Sequence, residues 1–390
     1  MAQEVPAPVL APDPSLAVAK LTKDGDALYL KGDYEAARLA FAGAWELAQQ
    51  TPPEDPVHYG ILKRLSSVRG AVGEFADADR WLQQAIAWRE GTMGPRDHKI
   101  ADDLLLSVGF RRAMKDYDRA LAILWRVQRQ HVEAYTGEST MVADDLSRMG
   151  MVYAELKRAD AAIASTNDAV FLRTRLSGPL DPSLIPDLDR LGEYHTAARD
   201  YEQAEVAYRH ALVIRETQYG KTHAELISDV DGLAYALFGQ KKYAEAEAAY
   251  RRLLGLWEAN VGKNHVMVAA VLDKLAAFYA AQKKNDAVDE ALERSTAIRA
   301  RFLAMGLSEQ ATQAFDEGRL DQVKTVLQRG LGVLEPPGAA NQDLRTQFEG
   351  MLKTLEATPK PPGPPPAPPG APSSGTTPKS PAPPRKAPGA

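Results

Sequence analysis

The chain has 390 residues, 45% of them hydrophobic and 25% charged, and no cysteine. Disulfides, thiol nucleophiles, iron–sulfur clusters and thiolate zinc sites are therefore excluded. The formal net charge of -5 hides an asymmetry, because residues 358–390 hold Lys360, Lys379, Arg385 and Lys386 with no acidic residue and leave the rest of the chain at -9. An acidic body argues against nucleic acid as the main partner, and no stretch approaches the roughly 18 apolar residues of a membrane helix.

Residues 1–14, "MAQEVPAPVLAPDP", read as a flexible N-terminal segment. They show no charged n-region and no apolar h-region, so no signal peptide is written here. The Pro-rich ends and the lack of cysteine suit an extracytoplasmic bacterial protein whose leader was trimmed or missed; the other reading is cytoplasmic.

From residue 15 to 334 the chain repeats itself. Small residues Ala37, Ala78, Ala120, Ala162, Ala204 and Ala246, then Val288 and a worn copy at Val323, recur at steps of 41 or 42, the last step being 35. Three residues before them stand Tyr34, Phe75, Tyr117, Ala159, Tyr201, Tyr243, Asn285 and Leu320; four after stand Phe41, Leu82, Leu124, Thr166, Tyr208, Tyr250, Leu292 and Leu327. A second stripe runs upstream in phase, at Leu62, Leu104, Leu146, Leu188, Val230 and Leu272. Both stripes have helical spacing. Each unit thus reads as two helices of about four turns joined by a short polar turn such as "GQKK" or "AARD". A Gly-containing connection such as "YGKTH" then leads to the next unit. The small residue lets the two helices approach, and the large one a turn later fills the space beside it. One hairpin cannot cover its own apolar faces, so the hairpins must stack.

Residues 335–357 include "NQDLRTQFEGMLKTLEA", an amphipathic segment expected to cap the last repeat. Residues 358–390 carry 14 of the 27 prolines and no aromatic or branched aliphatic residue, a composition expected to be disordered or polyproline II and to serve as a tether. Within them "PAPPRK" at 381–386 has spacing that suits a Pro-binding module.

The segments "LGEYHTAARDYEQAEVAYRHALVIRETQYGKTH" (191–223) and "LAYALFGQKKYAEAEAAYRRLLGLWEANVGKNH" (233–265) resemble tetratricopeptide repeats of the 42-residue, kinesin-light-chain-like kind. The resemblance covers roughly residues 15–334. It implies an all-α, right-handed superhelical solenoid of about eight antiparallel helix hairpins that binds peptides or partner proteins. The paired Asn common in such repeats is replaced by Asp189-Arg190, Asp231-Gly232 and Asp273-Lys274, which puts an amide clasp on a peptide in doubt.

Signals for catalysis, metal or cofactor are not found. The seven histidines show no HExxH or His-x3-His spacing. "GKT" at 220–222 has Arg215 where a phosphate loop needs glycine and follows a helix, so it reads as a connection, with Gly94, Gly178, Gly220 and Gly262 as left-handed helix C-caps. His223 and His265 fall at the next helix start and read as caps, and His195 as a core residue.

In such an array the first helices line a concave groove, so residues 42 apart on them form ladders. Asp189, Asp231 and Asp273 make one, continued by Ser147; Glu193, Tyr235, Phe238 and Met151 join it one turn on. Arg190 and Lys274 neutralise part of its field. These residues are the candidate peptide-binding site, and the acid ladder points to an extended, basic ligand. A second file, Asp103, Asp145, Asp187 and Asp229, lies near the helix starts and reads as complementing the helix dipole. The expected function is a non-catalytic protein- or peptide-binding scaffold. The alternative is a peptide- or ligand-responsive regulator acting through a partner protein.

Overall fold

The structure, a computed structural model, describes residues 14–95, 100–135, 138–335 and 341–357. Residues 1–13 of the N-terminal segment, His98 and the whole Pro-rich tail with its "PAPPRK" lie outside the described residues. Sixteen α-helices and no strand occur among the residues described.

The helices alternate as first (A) and second (B) members of hairpins. The A helices are α1 (Pro14–Leu30), α3 (Pro56–Ala71), α5 (Ala101–Ala113), α7 (Thr140–Glu155), α9 (Ile185–Ala197), α11 (Ile227–Gly239) and α13 (Val266–Ala281). Their B partners are α2 (Tyr34–Ala48), α4 (Phe75–Met93), α6 (Tyr117–Tyr135), α8 (Ala159–Ser177), α10 (Tyr201–Tyr219), α12 (Tyr243–Val261) and α14 (Asn285–Asp316); α15 (Leu320–Val333) and α16 (Gln342–Ala357) follow. The residue three before each small anchor is the first residue of a B helix in every copy, from Tyr34 to Leu320. The six anchor alanines are 0% exposed. Beside them Phe41, Leu82, Leu124, Tyr208 and Tyr250 are buried, each large side chain worth roughly 1.5–3 kcal/mol on leaving water. Through α13, each hairpin packs on the next, B helix against the following A helix.

The turns inside the hairpins need a residue with positive φ. Gly32, Gly73 and Gly318 supply it, but Lys115, Lys157, Arg199, Lys241 and Lys283 take the same place at φ 58 to 62°. A side chain there costs roughly 1–2 kcal/mol. The glycines that end B helices behave differently from the expectation. Gly94, Gly178, Gly220 and Gly262 have φ of 80 to 93° but ψ of 152 to 174°. This is the glycine-only extended region and not the left-handed helical one, because the chain leaves the helix extended to reach the next A helix. His223 and His265 cap as expected, their Nδ1 accepting from the backbone N–H of Glu225 and Met267.

The 42-residue rhythm breaks once. The position after Gly262 in register is Ala304, and α14 runs straight through it for 32 residues. Without the terminating glycine and with seven residues fewer to the next anchor, the last B helix and the following A helix are one. The described helices form two compact units divided between Ile298 and Arg299, inside α14. In the second, Ala304, Leu307, Ala311 and Ala314 of α14 share a core with Val323 and Leu327 of α15 and with Leu344 and Phe348 of α16.

Candidate binding surface on the first helices of the repeats

Tyr208 of α10 sets the spacing of α9 and α11. Its ring lies against Gly192 and Gly232, where a Cβ at either position would overlap it. Glycine therefore stands at 232, next to Asp231, because the ring needs the room. Held this way, α9 and α11 present Glu193 and Tyr235 at the same register position that Met151 occupies on the preceding A helix, α7.

The expected acid ladder is present but largely engaged. Asp189 accepts two bonds from Arg215 of α10, at 2.9 and 2.6 Å. Asp231 accepts from Lys274 Nζ of α13 at 2.7 and 2.5 Å. Asp273 accepts from Ser295 Oγ at 2.5 Å. Ser147 is buried and donates to Asp187 at 2.9 Å. The neutralising cations differ from the sequence-based assignment: Lys274 serves the aspartate of the preceding repeat rather than its neighbour, and Arg190 turns to Asp187 at 2.9 Å. Glu193 is exposed and has no hydrogen bond or ion pair with any described residue. Tyr235 is 48% exposed and meets the Tyr201 ring edge-on at 6.1 Å. Phe238 is half-buried against Phe278 at 5.6 Å, and Met151 is half-buried. His195 is buried, as expected.

The second acidic file is not a set of surface helix-start charges. Asp103, Asp145, Asp187 and Asp229 are 0–1% exposed. Each pairs with a base 14 residues earlier on the preceding B helix. Arg89 Nη1 reaches Asp103 at 2.9 Å and His131 Nδ1 reaches Asp145 at 2.6 Å; Arg173 holds Asp187 and Arg215 holds Asp229. The dipole accounts for three of them, which lie in first turns, but burial demands a counter-charge as well. Burial pushes the carboxyls of Asp145 and Asp187 up against these pairings. Asp229 goes furthest, to about 7, by burial, with Asp189 competing for the same guanidinium. Where the file ends, the base goes with the acid: the register positions read Ala48 and Ile61 before it and Trp257 and Val271 after it. The signal that reveals the bases is this covariation at a separation of 14, which the aspartates alone do not show. Buried acids held between helices cannot reach a substrate; what they do is lock neighbouring repeats. Among the described residues there is no group of three metal-ligating side chains, and no helix is long and apolar enough to cross a membrane.

Two family models match the chain, both described as tetratricopeptide repeat, over residues 188–225 and 226–301. Those segments coincide with the hairpins α9/α10 and α11/α12 and continue through α13 into the first half of α14. The chain carries tetratricopeptide repeats. The array is similar in fold to the C-terminal part of a tetratricopeptide repeat-containing protein from Cytophaga hutchinsonii, at 14% identity, covering 71% of this chain and 95% of that one with a TM-score of 0.52. Other matches are BtubC (BKLC) from P. vanneervenii, at 19% identity over 64% of this chain and 92% of that one, TM-score 0.47, and a putative kinesin light chain with nearly identical repeats from Podosopora anserina, at 15% over 52% and 95%, TM-score 0.46. No curated protein matches. The tetratricopeptide fold supports a role in protein–protein interaction.

Proposed function

We propose that this protein is a non-catalytic scaffold whose A-helix surface over α7, α9, α11 and α13 binds an extended partner segment carrying basic residues. The observation that carries the reading is the row of Met151, Glu193 and Tyr235: a carboxylate with no internal partner between a thioether and an exposed aromatic ring. The fold makes no use of Glu193, while its charged neighbours are paired. A ligand cation meets Glu193 first and lies over the Tyr235 face, an attraction of about 0.5–1 kcal/mol at an exposed site. Neighbouring helices pack about 8–10 Å apart and an extended chain advances about 3.3 Å per residue, so cations about three residues apart match successive repeats. Asp231 joins by exchanging its exposed Lys274, a pair worth only about 0.2–1 kcal/mol. Asp189 is held more firmly by Arg215, and Asp273 by Ser295. Phe238 and Met151 give apolar contact, and the Pro-rich tail acts as a tether.

The test is to pan a random peptide library against the wild type and against Glu193→Gln with Asp231→Asn, then to titrate the best binders at low and high salt. Selected peptides should be enriched in Lys and Arg, and salt should weaken wild-type binding more than that of the variant. Peptides without basic excess, or equal binding by the variant, would remove this reading.

A further inference from the structure

B helices α10 and α12 are joined by Arg209, which reaches Glu245 of the next repeat at 2.8 Å besides Glu205 one turn back on its own helix at 2.8 Å. One repeat further on, the arginine is Arg251 and the i-4 glutamate is Glu247, at 2.9 Å. The residue in register with Glu245 is Ala287. The cross-repeat carboxylate is missing, and at this place the structure has a cleft of about 330 Å³ between α12, α13 and α14, with Arg251 and Ala287 in its lining. Its floor is aliphatic, from Leu254, Leu272, Leu275 and Ala291. Its volume is at the lower end of ligand pockets, about 300–1,000 Å³. The packing of α14 leaves the space open: Leu292 is 43% exposed, whereas its counterparts Tyr208 and Tyr250 are 8% and 4% exposed.

The rim carries two further charges. Arg294 is held by Glu258, and Glu290 is exposed. Of the two cations at the cleft, Arg251 is the one whose sister residue shows what is absent, a second carboxylate arriving from the side of α14. We infer that this cleft binds a small monocarboxylate with an apolar body, its carboxylate meeting Arg251 as Glu245 meets Arg209 and its body resting on Leu254, Leu272 and Leu275. The inference is independent of peptide binding on the A helices.

The probe is 4-phenylbutyrate, with the neutral 4-phenyl-1-butanol beside it, titrated calorimetrically into the full-length protein. The acid should bind saturably at one site and the alcohol about two- to fivefold more weakly, the worth of an exposed charge pair, since the Arg251 side chain is 68% exposed. Ala287→Glu restores the closure seen one repeat earlier and should abolish binding of both probes. Arg251→Gln should bring the acid down to the level of the alcohol and leave the alcohol unchanged. Circular dichroism of each variant checks folding, and Ala291→Phe, which fills the floor, is the second route to a closed cleft if Ala287→Glu misfolds. The inference is overturned by no heat at about 10 mM probe, which would saturate even a ~1 mM site. Undiminished binding by the closed variants, or equal affinity for acid and alcohol, overturns it too.

Discussion

Replacing Arg215 by Leu removes the base from Asp229, whose side chain is 1% exposed, and from Asp189, whose side chain is 32% exposed. Asp189 can turn to water, but Asp229 cannot. Stripping one partner from a buried ion pair costs about 3–5 kcal/mol. The chain itself shows the remedy, since the same ladder reads Ala48 with Ile61 before the acid–base rungs and Trp257 with Val271 after them, and Ile61 and Val271 are 1% and 3% exposed. The pair Arg215→Leu with Asp229→Ile should therefore recover most of the loss, because well-packed apolar replacements of buried ion pairs range from neutral to about 1–4 kcal/mol stabilising. Urea unfolding followed by helical circular dichroism at about pH 8, above the Asp229 pKa of about 7, gives the difference. A single variant that loses less than about 1 kcal/mol would show that Asp229 does not depend on Arg215. A double variant as weak as the single one would show that ionic and apolar rungs are not interchangeable.

Leu at Ala204 or Ala246, both 0% exposed, should overpack the helix crossing by about 1–3 kcal/mol; an unchanged thermal midpoint would contradict the hairpin packing. Lys241→Gly should raise the midpoint by the equivalent of about 0.5–1 kcal/mol, because Lys241 sits at φ 62° and glycine relieves that strain at a smaller entropic cost. Asp229 has a folded-state pKa of about 7, above its unfolded value, so the folded protein holds the extra proton and stability falls as pH rises from about 4 to 7. The full displacement sets a ceiling of about 4 kcal/mol. Asp189→Asn leaves Arg215 to Asp229 alone and should flatten that fall, as thermal midpoints across the window will show.

The start of every B helix was legible in the sequence because one large–small–large motif marks each one, and burial at the small residue follows from helix crossing. The buried acid–base ladder was legible only in half. Aspartate near a helix start has a cheap local explanation, and nothing in Asp187 or Asp229 by itself says that it faces inward; the disappearance of base and acid together at Ala48/Ile61 and Trp257/Val271 does. The fused α14 was foreshadowed by the step of 35, but a missing connection and a shortened helix look alike in spacing. The fate of Asp189 and Asp231 was hidden because their partners, Arg215 and Lys274, lie 26 and 43 residues away and no local pattern links them. The positive-φ lysines and arginine were invisible as strain, since basic residues in a polar turn are unremarkable in composition.

The central claim is that partners engage the A-helix surface at Glu193 and Tyr235. It is tested most directly by placing a photo-crosslinking phenylalanine at Tyr235 in one protein and at Val206, 61% exposed on B helix α10, in another. Each protein is then irradiated with a Lys-containing peptide selected by panning. The account predicts adducts at position 235 that disappear with Glu193→Gln, and none at 206. Adducts at 206 alone, or at 235 regardless of Glu193, would contradict it.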